Sequence, residues 1–187
     1  PKTHKGFACA KKQEGEYRVV AFGDSLTAGG DDSYVDALAK QYRGNGVQFV
    51  NAGVPGDTTE KMLARIDQVL VCKPDTVLLG AGGNDIFQGV PQAEFEVRLS
   101  ALITKLRAGG AEVVLLGLEV DATFPYAGSY VKVARETRVG FIPNMLRGVY
   151  KTPSMLLADG LHPNTEGNAL IAKQVAQYLA FEGPPSF

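Results

Sequence analysis

At 187 residues, the chain is long enough to bury a full hydrophobic core and short enough to form one domain. Its 45% hydrophobic and 21% charged residues, with 22 Gly and 10 Pro, exclude intrinsic disorder, collagen-like repeats and disulfide-dense scaffolds. A formal net charge of -1 gives no basic field for nucleic acid, and no apolar run approaches the roughly 20 residues that span a bilayer.

The chain opens at Pro1 on a polar stretch, Lys2 to Lys12, without a hydrophobic signal region. Its start reads as a processing site or a cloning boundary, and residues 1–15 as a polar tail before a single domain over 16–187. Export is permitted by this, not shown. Cys9 and Cys72 either form one disulfide in an oxidising compartment or remain two unrelated thiols. With His4 in the tail, the two Cys and two His have no zinc-ligand spacing, and no metal site is expected.

Beyond the tail, apolar runs alternate with amphipathic stretches. Arg18 to Phe22, closed by Gly23, predicts a buried strand, and Ser33 to Tyr42 a helix. Val47 to Val50 predicts a second strand. The turn-rich Asn51 to Gly56 then leads to one helix with Met62, Leu63, Ile66, Val69 and Leu70 on its apolar face, capped by Thr58 or Thr59. Asp75 to Gly80 is a third strand, Phe95 to Leu106 carries a helical stripe, and Ala111 to Leu116 is a fourth strand. Leu118 to Tyr130 reads as a long surface loop in which Phe124 and Tyr126 pack a local lid. A helix through Lys132 to Arg138, a last strand over Val139 to Ile142 and a helix from about Asn164 to Ala180 complete the pattern. Strands that are apolar throughout and alternate with helices predict an α/β fold with a five-stranded, mostly parallel sheet covered on both faces.

In such a sheet, ligands bind beyond the carboxyl ends of the strands. Four polar, Gly-rich segments gather there: Gly23 to Thr27, Asn51 to Asp57, Ala81 to Asp85, and Asp159 to Asn164. Ser25, at a strand-to-helix turn, is a candidate nucleophile, and its own N–H faces the place where an oxyanion would form. A serine needs a neighbouring base, and His162 is the only histidine outside the tail. Asp159, three residues earlier, can fold back onto its imidazole. The Gly56 N–H and the Asn84 amide are candidates to join Ser25 in an oxyanion hole.

These blocks, in this order, resemble the SGNH (GDSL-type) hydrolases. Gly23-Asp24-Ser25-Leu26 matches the first block of that family and Gly56 in Val54-Pro55-Gly56-Asp57-Thr58 the second. Gly83-Asn84-Asp85 matches the third, and Asp159-Gly160-Leu161-His162-Pro163 the fifth. The resemblance covers roughly residues 18 to 180. Its nearest subgroup is the small bacterial arylesterase, thioesterase and lysophospholipase type. It implies a three-layer, flavodoxin-like α/β/α domain exported to the periplasm or secreted. It further implies a Ser25, His162, Asp159 triad and an oxyanion hole of Ser25, Gly56 and Asn84. The substrate would be a small-molecule ester, with no cofactor, no nucleic acid partner and no stable membrane insertion. The stretch Glu119 to Tyr126 follows no block of the family, which leaves substrate preference and the choice between hydrolysis and acyl transfer, or a carbohydrate O-acetyl ester, open.

Two other classes compete on the residues alone. A non-catalytic ligand-binding module would keep the rim without needing Ser25, His162 and Asp159 together. A metal-dependent phosphohydrolase would instead gather Asp24, Asp85 and Asp159 around a cation.

Overall fold

The computed structural model describes residues 7–30, 32–119 and 123–179. Five strands form one sheet: β1 (Tyr17–Gly23), β2 (Val47–Gly53), β3 (Thr76–Gly80), β4 (Glu112–Leu116) and β5 (Gly140–Ile142). Their spatial order is β2-β1-β3-β4-β5, and every neighbouring pair is parallel. β1 runs in register with β2 from Tyr17↔Val47 to Gly23↔Gly53, so Gly23 and Gly53 end side by side at the carboxyl edge. Both faces of the central strands are buried, which is why Val19 to Phe22 and Val77 to Leu79 are apolar without alternation.

The helices are α1 (Ser25–Ala28), α2 (Tyr34–Gln41), α3 (Thr59–Ala64), α4 (Ile66–Leu70), α5 (Gly83–Phe87), α6 (Gln92–Ala108), α7 (Ser129–Thr137) and α8 (Thr165–Leu179). α2 packs on α8, whereas α6 packs on α3, α4 and α7, giving a helical layer on each side of the sheet. Ser33 opens α2 with a capping box closed by Asp36, and Thr58 caps α3 through Lys61 N–H.

The sequence-based elements differ from the structure in four places, the first being β2, which runs on through Asn51, Ala52 and Gly53, residues assigned from sequence to a turn. The single helix expected across Met62 to Leu70 is two, because Arg65 leaves helical geometry (φ -116°, ψ 12°) between α3 and α4. Ala81 to Asp85 is not wholly loop: its second half opens the short helix α5. The stretch from Leu118 is less a surface loop than its prolines and glycines suggest. Leu118 and Tyr126 are buried, with the Tyr126 ring stacked 4.2 Å from Phe95 and its hydroxyl donating to Val90 O. Gly128, at φ 84°, then starts α7 three residues early, at Ser129. Residues 120–122 of that stretch, His4 and Ala180 lie outside the described residues.

At the amino ends of the strands, the tail is strapped down. Cys9 and Cys72 form a disulfide, with Cα atoms 5.3 Å apart and 63 residues between them in sequence. Lys12 Nζ pairs with Asp75 Oδ2 at 2.5 Å, and the same oxygen accepts Arg18 N–H at 2.6 Å. The fully buried Arg18 donates to Cys72 O at 2.7 Å and to Glu16 Oε1 at 2.8 Å.

Reduction of this disulfide, or Cys72→Ser, is expected to cost about 2–4 kcal/mol by freeing a long loop in the unfolded chain, and to lower Tm by on the order of 5–15 °C. Because the bridge sits at the sheet end opposite Gly23 and Gly53, turnover at 25 °C should be unchanged. Thermal melts with and without reductant, alongside activity, check both halves.

Candidate active site

The carboxyl edge is built around a crowded exit from β1. A Cβ on Gly23 would lie 2.7 Å from Gly80 O, so only glycine lets the chain pass β3 and turn at once into α1. Asp24 caps that turn, its Oδ1 accepting Leu26 N–H at 2.9 Å, which leaves Ser25 as the first residue of α1.

Across the rim, residues 157–162 form a turn closed on itself. Leu157 N–H donates to His162 O at 2.8 Å and Gly160 N–H to Leu157 O at 3.0 Å. Asp159 Oδ1 accepts the Leu161 and His162 N–H groups at 2.9 and 3.0 Å, while its Oδ2 lies 2.7 Å from His162 Nδ1. These backbone bonds, His162 N–H foremost, hold the Asp159 carboxyl down at about 2. An ionised carboxylate only accepts, so Nδ1–H donates its hydrogen bond to Asp159 and the Nε2 lone pair faces outward. His162 Nε2 lies 2.9 Å from Ser25 Oγ, closing contact between residues 137 apart in sequence. Pro163 follows, and Asn164 Oδ1 accepts Gly167 N–H at the start of α8, fixing the turn to a long helix.

Asn84 stands in the first turn of α5, its Nδ2 donating to Asp57 O at 2.9 Å and directed at Asp24 Oδ2 at 3.4 Å. Gly56 lies on the neighbouring loop at φ 81°, in a turn closed by Asp57 N–H to Val54 O. The expected residues are thus not equally close. Ser25, His162 and Asp159 form one hydrogen-bonded line, Asn84 shares a cavity with Ser25 and His162, and Gly56 is on the same rim without lining that cavity.

Two hollows meet at Ser25 and His162. One, of about 220 Å³, has Asp24 and Asn84 beside the serine and apolar walls that include Ile86, Leu118, Phe124 and Leu146. The other, of about 240 Å³, runs past Gly29, Gly30, Pro55 and Leu157. Of the two lid aromatics expected from sequence, Phe124 lines the first hollow and Tyr126 belongs to the core.

The three carboxylates of the metal alternative are committed elsewhere. Asp24 caps α1, Asp159 holds His162, and the fully buried Asp85 accepts both the N–H and the hydroxyl of Thr59. Among the described residues, no group of three or more His, Cys, Asp or Glu is placed to hold a metal ion.

Sequence reasoning missed Arg65 and Asp57. Arg65 Nε donates to Asp57 Oδ2 at 2.6 Å, its Nη2 reaches Gly23 O and Ala52 O at 3.1 and 2.9 Å, and its guanidinium covers the Phe22 ring at 4.7 Å. A signal was available: position 65 is three residues after Met62 and four before Val69, so a charged residue sits on the buried stripe.

Residues 21–170 match the family model described as the GDSL-like lipase/acylhydrolase family. An arylesterase of Vibrio mimicus is 32% identical over 92% of this chain and 93% of its own length. Thioesterase 1/protease 1/lysophospholipase L1 of Escherichia coli K12 is 30% identical over 86% and 82%. The crystal structure of TesA superposes with a TM-score of 0.80 at 31% identity, covering 87% of this chain and 97% of that one.

The Asp24 carboxyl is raised from 3.8 to about 6. Burial is the main cause and the charges of Asp57 and Asp85 add to it, while the Leu26 N–H and His162 pull the other way. A folded state that holds this proton more tightly than the unfolded chain gains stability below the unfolded value, and loses it as pH rises through the folded one. The loss should amount to on the order of 2–3 kcal/mol between about pH 4 and pH 6. Asp24→Asn keeps an acceptor for Leu26 N–H and removes the titration, so the Tm of the variant minus that of the wild type should grow by several degrees across that interval. Paired thermal melts at the two pH values test this, and a difference that stays constant would count against it.

Proposed function

Because the chain belongs to the GDSL-like lipase/acylhydrolase family, with its esterase and thioesterase type of function, we propose that it is a serine ester hydrolase working through an acyl-enzyme on Ser25. The observation that carries this reading is the unbroken line from Ser25 Oγ through His162 to Asp159. His162 Nε2 takes the hydroxyl proton as Oγ attacks the acyl carbon, and the ionised Asp159 stabilises the imidazolium. The carbonyl oxygen becomes an oxyanion held by the Ser25 and Gly56 N–H groups and by Asn84 Nδ2. Collapse of this intermediate breaks the acyl bond to the leaving oxygen or sulfur, which receives the proton from His162. Water, activated by the same imidazole, then releases the acid and restores Ser25.

Two hollows of similar size that meet at Ser25 and His162 suit the two sides of one scissile bond, so the substrate class is a small carboxylic ester or thioester. The name of the Vibrio relative supports aryl esters, and that of the Escherichia relative thioesters and lysophospholipids. The Cys9–Cys72 disulfide supports an oxidising setting, the periplasm or the exterior of the cell. Among the described residues, no helix is long and apolar enough to cross a membrane.

Ser25→Ala should lower kcat on p-nitrophenyl esters on the order of 10³-fold or more and abolish labelling by a fluorophosphonate, while leaving the circular dichroism spectrum intact. Near-normal turnover would refute the nucleophile. Asn84→Ala should lower kcat about 10²-fold to 10³-fold with KM changed far less, since its hydrogen bond is needed mainly in the transition state. A loss confined to KM in steady-state kinetics would assign Asn84 to substrate binding instead.

A further inference from the structure

We propose that Arg65 is a positioning residue that sets the spacing of the three oxyanion donors, an inference that rests on the serine hydrolase reading above. The donors sit on three loops: Ser25 follows β1, Gly56 follows β2, and Asn84 follows β3. An oxyanion hole works only when its donors converge on one point, and a misplacement of about 1 Å costs on the order of 10²-fold in rate.

One guanidinium touches the ends of β1 and β2 and the Asp57 loop directly, and reaches the third loop through Asp57. Nη2 donates to Gly23 O, two residues before Ser25, and to Ala52 O on β2. Nε holds the carboxylate of Asp57, the residue directly after Gly56. The backbone oxygen of that same Asp57 accepts Asn84 Nδ2, so the third donor is oriented through the residue that Arg65 grips. The flat ring of Phe22 supports the guanidinium from one side.

Two further observations separate positioning from mere stabilisation. The helix is broken at Arg65, dividing α3 from α4 at the residue whose side chain reaches the strand ends. Among the described residues Arg65 Nη1 has no hydrogen-bond partner, and a largely buried ion pair such as Arg65 with Asp57 is in any case a weak source of net stability. The directional fork of an arginine is what an apolar residue of equal volume would not supply.

The test uses Arg65→Lys, which keeps the charge and loses the fork, and Asp57→Asn, which keeps the backbone acceptor for Asn84 and loosens the grip. Each is assayed on p-nitrophenyl butyrate beside thermal melts. Both should lower kcat about 10-fold to 100-fold with KM within about 3-fold. The kcat penalty of Arg65→Lys should shrink when Asn84 is already alanine, because part of it acts through that amide. If Arg65→Lys does not fold, the kcat and KM of Asp57→Asn decide alone. A lowered Tm with wild-type kcat, an effect on KM only, or full additivity with Asn84→Ala would overturn the proposal. Ser25→Ala, run in parallel, keeps the two readings apart. If it stays active, the hydrolase reading fails. If it is inactive while Arg65→Lys turns over like wild type, only the role of Arg65 is lost.

Discussion

Pairing the first strand on both sides, with β2 and β3, is the constraint from which the rest of this molecule follows. Once β1 occupies the middle of a parallel sheet, the chain must leave its carboxyl end one way and return from the other side. The loops after β1 and β3 then diverge and open a crevice between them. Ser25 and Asn84 stand at the two lips. The crowding of Gly23 against Gly80 O is the local expression of the same constraint, since the loop carrying Ser25 has to emerge between two strands already in contact.

Much of this was legible in the residues because parallel sheets write themselves plainly. Strands buried on both faces need unbroken apolar runs, and Arg18 to Phe22, Asp75 to Gly80 and Ala111 to Leu116 leave few alternatives. Ser25, His162 and Asp159 could be singled out because histidine is scarce and the Asp-to-His spacing is local. What escaped was long-range. No periodicity announces that α3 and α4 part at Arg65, whose side chain finds its partners in carbonyls of β1 and β2, far from the helix in sequence. Likewise, Tyr126 resembles a loop aromatic until Phe95, some thirty residues earlier, supplies its stacking partner. The Cys9–Cys72 bridge was open for the same reason: proximity across 63 residues is a property of the fold.

The two ends of the sheet are made differently. At the amino ends, charges are paired for cohesion: Lys12 and Arg18 N–H share Asp75, and the tail is covalently tied beside them. At the carboxyl ends, polar groups are buried at a cost, with Asp24, Asp57 and Asp85 near enough for the last two to disfavour ionisation of the first. Such a concentration of buried carboxyls is a weak source of stability.

The turn carrying His162 is closed within residues 157–162, with Asp159 bonding both the backbone and the ring of the same histidine. His162 and Asp159 therefore belong to one locally closed unit. Their mutual geometry is set within six residues, and what the rest of the fold has to supply is the gap from Nε2 to Ser25 Oγ. Asn164 joins the turn to the start of α8 through Gly167 N–H, so the placement of the last helix on the domain sets how near the ring comes to the serine.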